Sequence, residues 1–255
     1  MQHFHSRFSA TLRPVSRLLI ALPLVALVAA CTPGTPGPDG VFDPYEQANR
    51  SRHASSLRVD QAVVKPVSDT YGTVVPRPVR RGVSNFASNL DLPGIVVNDV
   101  LQFKVENAVH NTWRFAINST IGVAGLFDVA GSMGLPERDN DFGRTLHAWG
   151  APEGAYLVLP VLGPSTERDF AGKVVDFIIN PTRYLLESPE SYYGTGAKVL
   201  KKLGDRHQYS DVLDSVIYQS ADSYGQARML YLQNRRFELG IDVSDQYIDP
   251  YEVSR

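Results

Sequence analysis

Between residues 43 and 240, apolar positions recur mainly at helical spacing. Val105, Val109, Trp113 and Ile117 follow one another at i, i+4, with Ala108, Thr112, Phe115 and Ala116 on the flanks. This predicts a helix over 104–118 with a wide apolar face. Leu213, Val216, Ile217, Ser220, Tyr224, Ala227, Tyr231 and Asn234 hold the same spacing for longer. They predict one long C-terminal helix over 210–237, with Ser210 as N-cap and Gly240 beyond its end. Shorter helices are expected over 44–53, 59–75, 77–90, 94–103, 168–179 and 196–204, punctuated by Pro76, Pro93, Pro164 and Pro181, where a helix begins or must stop. Strand-like alternation is nearly absent. The expected fold class is therefore all-α, an irregular assembly of short, broken helices and one long C-terminal helix.

Two segments fit a soluble helical protein poorly. Residues 119–134 (STIGVAGLFDVAGSMG) are small and apolar with a single charge, Asp128, and glycines that each cost up to about 1 kcal/mol in an ordinary helix. Residues 154–164 (GAYLVLPVLGP) place Leu157, Val158, Leu159, Val161 and Leu162 around Pro160. Either segment can be read as a buried strand or hairpin, or as apolar surface that meets lipid, with glycines allowing close helix approach.

The N-terminus changes the picture. Residues 1–17 carry Arg7, Arg13 and Arg17 and no acidic residue, and residues 18–30 are apolar or small apart from Pro23. This is the pattern of an export signal whose apolar core is too short to span a bilayer stably. It ends in Val28-Ala29-Ala30-Cys31, and Cys31 is the chain's only cysteine. Small residues before a thiol resemble a lipoprotein box, in which the thiol accepts a diacylglyceryl group before cleavage. The expected organisation is a lipoprotein signal peptide over 1–30, a lipidated Pro/Gly-rich tether over 31–42, a helical domain over 43–240 and an acidic tail over 241–255.

Removing residues 1–30, with three arginines and no carboxylate, takes the formal net charge from −2 to −5, which argues against a nucleic-acid partner. With Cys31 acylated there is no free thiol for a disulfide, a nucleophile or a thiolate metal site. The remaining histidines, His53, His110, His147 and His207, form no HExxH or close pair, and no Gly-x-Ser-x-Gly elbow occurs. Residues 194–198 (GTGAK) resemble a phosphate loop but lack its spacing and a preceding strand. His147, beside Trp149 and after Asp141, is the one general-base candidate, against the commoner reading of a structural histidine. No metal or cofactor is expected.

A longer series of ordered motifs carries a family resemblance. Asp43-Pro44-Tyr45-Glu46 with Asn49-Arg50, Lys65-Pro66-Val67, Asn85-Phe86 with Asn89-Leu90, and Asn98 with Leu101-Gln102 open it. Residues 114–122 (RFAINSTIG), 125–130 (GLFDVA), Asp141-Phe142-Gly143, Trp149-Gly150, Leu159-Pro160, Gly163-Pro164 and Arg168-Asp169 continue it. Together they resemble the VacJ/MlaA family of outer-membrane lipoproteins. The chain departs from the family at His53-Ala54-Ser55-Ser56, where relatives are often aromatic-rich.

The resemblance implies a ring-like helical protein in the inner leaflet of the outer membrane, anchored through Cys31 at the periplasmic face. Thr32, rather than Asp, after the cysteine is compatible with that destination. The family removes phospholipids misplaced in the outer leaflet through an amphipathic channel and passes them to a periplasmic carrier, often while bound to a trimeric porin. Candidate contacts to lipid or bilayer are Ile121, Val123, Leu126, Phe127, Leu157, Leu159, Val161 and Leu162. Candidate polar groups, for headgroups or for structure, are Arg114, Asn118, Asp128 and Asp141. Such transport needs no catalytic residue. Two other classes remain compatible with the residues: an outer-membrane phospholipid hydrolase and a structural porin-associated adaptor.

Overall fold

The computed structural model describes residues 37, 40–160, 162–182 and 190–241. The expected signal peptide, Cys31 with most of its tether, Val161 and the tail after residue 241 lie outside the described residues.

The chain is mostly helical, as its periodicity predicts. In order it forms α1 (Glu46–Val59), a π-helical stretch (Asp60–Val64), α2 (Lys65–Val74), α3 (Arg77–Leu101), α4 (Val105–Thr120), α5 (Val129–Ser132) and α6 (Phe142–Ala148). An antiparallel hairpin of β1 (Tyr156–Leu159) and β2 (Gly163–Thr166) follows, then α7 (Glu167–Ile179), α8 (Glu190–Gln208), α9 (Ser210–Tyr218) and α10 (Ser223–Glu238).

Several helix boundaries depart from expectation, among them those of α8, which runs over Glu190–Gln208 rather than 196–204. The breaks expected after residues 53 and 90 do not occur. Helical structure runs from α1 through the π-helical stretch into α2, and α3 passes through Pro93 without ending. An internal proline costs about 3 kcal/mol. α3 packs against α4, α6 and α8, and contacts on both sides of Pro93, Lys201 to Ser88 and Trp149 Nε1 to Leu101 O, hold the two halves in line. The single C-terminal helix is instead two. Asp222, whose side chain accepts a hydrogen bond from Gly225 N, caps α10 and ends the run. Arg50 fixes that break through paired bonds to Asp222 of 2.9 and 3.1 Å. The short helices α5 and α6 were not expected; each is started by an aspartate, Asp128 or Asp141, accepting from a backbone N–H three residues on.

The 154–164 segment is the hairpin, with Tyr156 opposite Thr166 and Leu159 opposite Gly163. Its inner face joins the core: Tyr156 and Val158 pack with Val41, Tyr224 and Leu232. Asn49 of α1 holds the strand edge, donating to Tyr156 O at 2.9 Å and accepting from Val158 N at 3.0 Å. A second core, Phe142, Leu146, Ala151, Ala171 and Val175, joins α6 to α7.

Candidate functional site

The burial of α4 inverts the pattern of a water-soluble helix. The residues it turns inward are Ala108, Asn111, Arg114 and Asn118, whereas the apolar row read from the sequence points out as far as Trp113 and is half-buried at Ile117. Val105, Val109 and Trp113 are exposed, Trp113 by 60%, and Phe103, just before the helix, by 87%. The apolar surface continues past the helix end through Ile121, Val123, Leu126 and Phe127, all exposed. Val123 and Ala124 adopt positive φ with Gly125, a conformation unfavourable for a β-branched residue, and the turn is held by Gly125 N donating to Asn118 O at 2.7 Å. A contiguous exposed apolar face of this kind marks an interaction surface.

Behind that face runs a chain of buried polar side chains joined by hydrogen bonds. Asp99 accepts from Asn111 Nδ2 at 2.8 Å and from Asn140 Nδ2 at 2.7 Å. Gln102 Nε2 donates to Asn140 Oδ1 and Thr145 Oγ1, and Thr145 Oγ1 donates to Asn98 Oδ1, each at 2.8 Å. Asn98 Nδ2 then donates to Asp176 Oδ1 at 2.8 Å, and Phe142 N to Asp176 Oδ2 at 3.0 Å. Burial pushes the Asp176 carboxyl up to about 6 despite these two donors. Most of these buried donors and acceptors satisfy one another, which makes their burial tolerable; Gln102 Oε1 and Asn111 Oδ1 are the exceptions.

Of the four polar candidates, three come together. Asn118 Nδ2 donates to Asp128 Oδ1 at 2.9 Å and Arg114 Nη2 lies 3.1 Å from the same oxygen. Arg114 also donates to Leu135 O, and Asn118 Oδ1 accepts from Ala130 N at 2.9 Å. This set fastens α5 to α4. Asp141 belongs elsewhere, in a cluster with Arg235 and Asp169.

The apolar candidates also separate. Ile121, Val123, Leu126 and Phe127 share the exposed face beyond α4. Leu157 and Leu159 are half-buried on the hairpin and Leu162, at its turn, is exposed; Val161 lies outside the described residues. The larger cavities have other walls. One of about 590 Å³, between α3, α7 and α8, is lined by Leu90, Asp91, Asp176, Phe177, Tyr192 and Lys198 among others, and Lys198 is paired with Asp91 across it. Sequence periodicity could not have found these residues, because their side chains meet only when α8 packs along α3. His147 faces Arg168, whose Nη1 lies 3.4 Å from His147 Nδ1. Burial and the Arg168 charge both hold His147 below its usual range.

No described helix is long and apolar enough to cross a membrane. Residues 41–238 match the family model described as MlaA lipoprotein. The chain belongs to the MlaA lipoprotein family. Within it, the chain is 34% identical over 223 residues, 86% of each protein, to the intermembrane phospholipid transport system lipoprotein MlaA of Escherichia coli (strain K12). It is 36% identical over 185 residues, 72% of each, to an uncharacterized protein of Rickettsia felis. A solved structure reported as the structural basis for maintenance of bacterial outer membrane lipid asymmetry superposes with a TM-score of 0.66 at 30% identity. That match covers 77% of this chain and 98% of the other. The MlaA family is a transport lipoprotein family and not a known enzyme family.

Proposed function

We propose that this chain is an outer-membrane lipoprotein that removes misplaced phospholipid from the outer leaflet and delivers it to a periplasmic carrier, preserving lipid asymmetry. The inverted packing of α4 carries the reading, with polar side chains inside and an apolar face outside. The exposed row Phe103, Val105, Val109, Trp113, Ile121 and Phe127 is suited to acyl chains, where apolar surface has no aqueous penalty. Within this reading Ile121, Val123, Leu126 and Phe127 extend the bilayer contact, and the lipid on Cys31 holds the protein at the periplasmic face.

The physical task is a barrier, not a bond. Drawing a two-chain phospholipid into water exposes some thirty CH₂ groups at about 0.8 kcal/mol each. A passage with an apolar wall for chains and polar groups for the headgroup lowers that barrier without covalent chemistry. The cavity between α3, α7 and α8, with Leu90, Phe177 and Tyr192 beside Lys198 and Asp91, offers both kinds of wall. A trimeric porin is a fitting partner in the bilayer, because it would cover part of the exposed apolar face.

The test is a charge on that face. Trp113→Asp is expected to leave far-UV circular dichroism and thermal unfolding in detergent unchanged, since the side chain touches little of the core. In cells it should weaken retention in the outer membrane and raise labelling of surface-exposed phospholipid. A Trp113→Asp chain that behaves normally in cells would remove the bilayer from this face. Cys31→Ala should likewise abolish lipid labelling of the chain.

A further inference from the structure

A second large cavity, of about 560 Å³, opens between the beginning of α3 and the end of α8. Its chemistry differs from that of the cavity beside Lys198. Leu200 is the one aliphatic side chain among its lining residues, so its wall is mainly polar and charged. Arg77, Arg80 and Arg81 line it from the first turns of α3 and Lys201 from α8, against the carboxylates of Asp205 and Asp211. Four cations against two carboxylates is a local excess of positive charge in a chain whose overall net charge is −2.

The cations are unequally committed. Arg80 Nε donates to Val75 O at 3.1 Å and Lys201 Nζ to Ser88 Oγ at 2.7 Å. His207 is turned towards Asp69, 3.2 Å away, with its ring packed on Gly72. Arg77 and Arg81 are exposed, and neither is paired with a carboxylate among the described residues. Pro76, the N-cap of α3, offers no side-chain acceptor to the first turn, so the positive end of a 25-residue helix adds to their field.

Asn85 lines this cavity and also a small polar cavity whose wall includes Asn89 and Arg114. Both residues are 4% exposed, and Asn89 Oδ1 and Arg114 Nε are buried without a hydrogen-bond partner. Unsatisfied buried polar atoms are costly and call for an explanation. Here they line the small cavity that shares Asn85 with the arginine-lined one.

We propose that this cavity binds a phosphate group, carried by a phospholipid headgroup or free in solution, with Arg77 and Arg81 as its principal ligands. A guanidinium presents parallel N–H donors that match two phosphate oxygens, and two arginines one helical turn apart can take one phosphate between them. Asn85 joins this site to the small cavity that Arg114 lines. The headgroup as source rests on the transport function proposed above; the phosphate chemistry does not.

The test uses the full acylated chain purified in a non-ionic detergent. It is titrated by calorimetry at low ionic strength with glycerophosphoglycerol, a phosphodiester headgroup without acyl chains, and separately with inorganic phosphate. Saturable binding is expected, weakening as salt is added. In the double variant Arg77→Gln/Arg81→Gln, affinity should fall about tenfold or more, because charge-assisted hydrogen bonds are lost. Arg52→Gln, an exposed arginine of α1, should bind as the unaltered chain does. Binding of the diester assigns the site to headgroups, and binding of inorganic phosphate alone assigns it to the free ion. Absence of saturation with both ligands would overturn the proposal, as would unchanged affinity in a double variant whose circular dichroism and melting are normal. A separate measurement, labelling of surface phospholipid in cells lacking the native gene, tests the transport function. An unaltered chain that fails to restore asymmetry there sinks that function and leaves the binding result standing.

Discussion

Arg235 grips Asp141 from 94 residues away with two parallel hydrogen bonds of 2.8 Å, Nη1 to Oδ2 and Nη2 to Oδ1. The same guanidinium reaches Asp169 Oδ1 at 2.9 Å, while Tyr231 OH donates to Asp169 Oδ2 at 2.7 Å. One side chain of α10 thus ties together the start of α6 and the first turn of α7. Burial alone would raise the Asp141 carboxyl, but the hydrogen bonds and charge of Arg235 outweigh it and hold it below the usual range. Arg235→Gln removes the guanidinium that Asp141 and Asp169 share, leaving buried Asp169 only the longer ionic contact to Arg168 Nε at 3.7 Å. It should cost about 3 kcal/mol in denaturant unfolding, with Arg235→Lys recovering part of the loss.

A second prediction concerns the contact between α6 and α7. A Cβ placed on Gly172 would lie 2.4 Å from Gly143 N and 2.7 Å from Gly143 Cα, against backbone that cannot swing aside. Gly172→Ala should therefore push the helices apart and destabilise the chain by about 2 kcal/mol, despite alanine's better helix propensity. A raised melting temperature would contradict this contact.

The position of Asp176 predicts a pH dependence. Its folded value of about 6 lies above that of an unfolded aspartate, so the folded state binds the proton more tightly. Between about pH 4 and pH 6 this group makes stability fall as pH rises, because the unfolded chain ionises first. Denaturant unfolding across that window should show a downward slope for the unaltered chain relative to Asp176→Asn. Parallel profiles for the two would place the titration elsewhere.

His147 provides the check on an enzymatic reading. Its Nδ1 faces the Arg168 guanidinium, which favours the neutral ring, and Arg168 itself is held next to Asp169. His147→Ala should leave lipid asymmetry intact wherever the protein remains folded, measured by surface labelling alongside protease resistance. Loss of asymmetry in a well-folded variant would revive hydrolysis.

What the sequence determined by itself is the helical class, the existence and period of α3, α4, α7 and α8, and the ordered motifs that mark the family. These are local properties: spacing along a helix is written in consecutive residues and is legible without a fold. Which face of α4 turns inward was not legible. Periodicity shows that Val105, Val109 and Trp113 share a side, but it cannot say whether that side meets a core or leaves it. Only the hydrogen bonds of Asn111, Arg114 and Asn118 to residues outside the helix, 12, 21 and 10 positions away, decide for the polar side. The continuity of α3 through Pro93 and the interruption of the C-terminal helix at Asp222 have the same origin. Packing against α4, α6 and α8 overrides an unfavourable proline, and Arg50, 172 residues from Asp222, supplies the partner that fixes the break. The arginines at the start of α3 were plain in the sequence as single charges. They became one cavity only when α8 brought Lys201 alongside them, because a cluster of like charges drawn from two helices is a property of their packing and not of either strand of sequence.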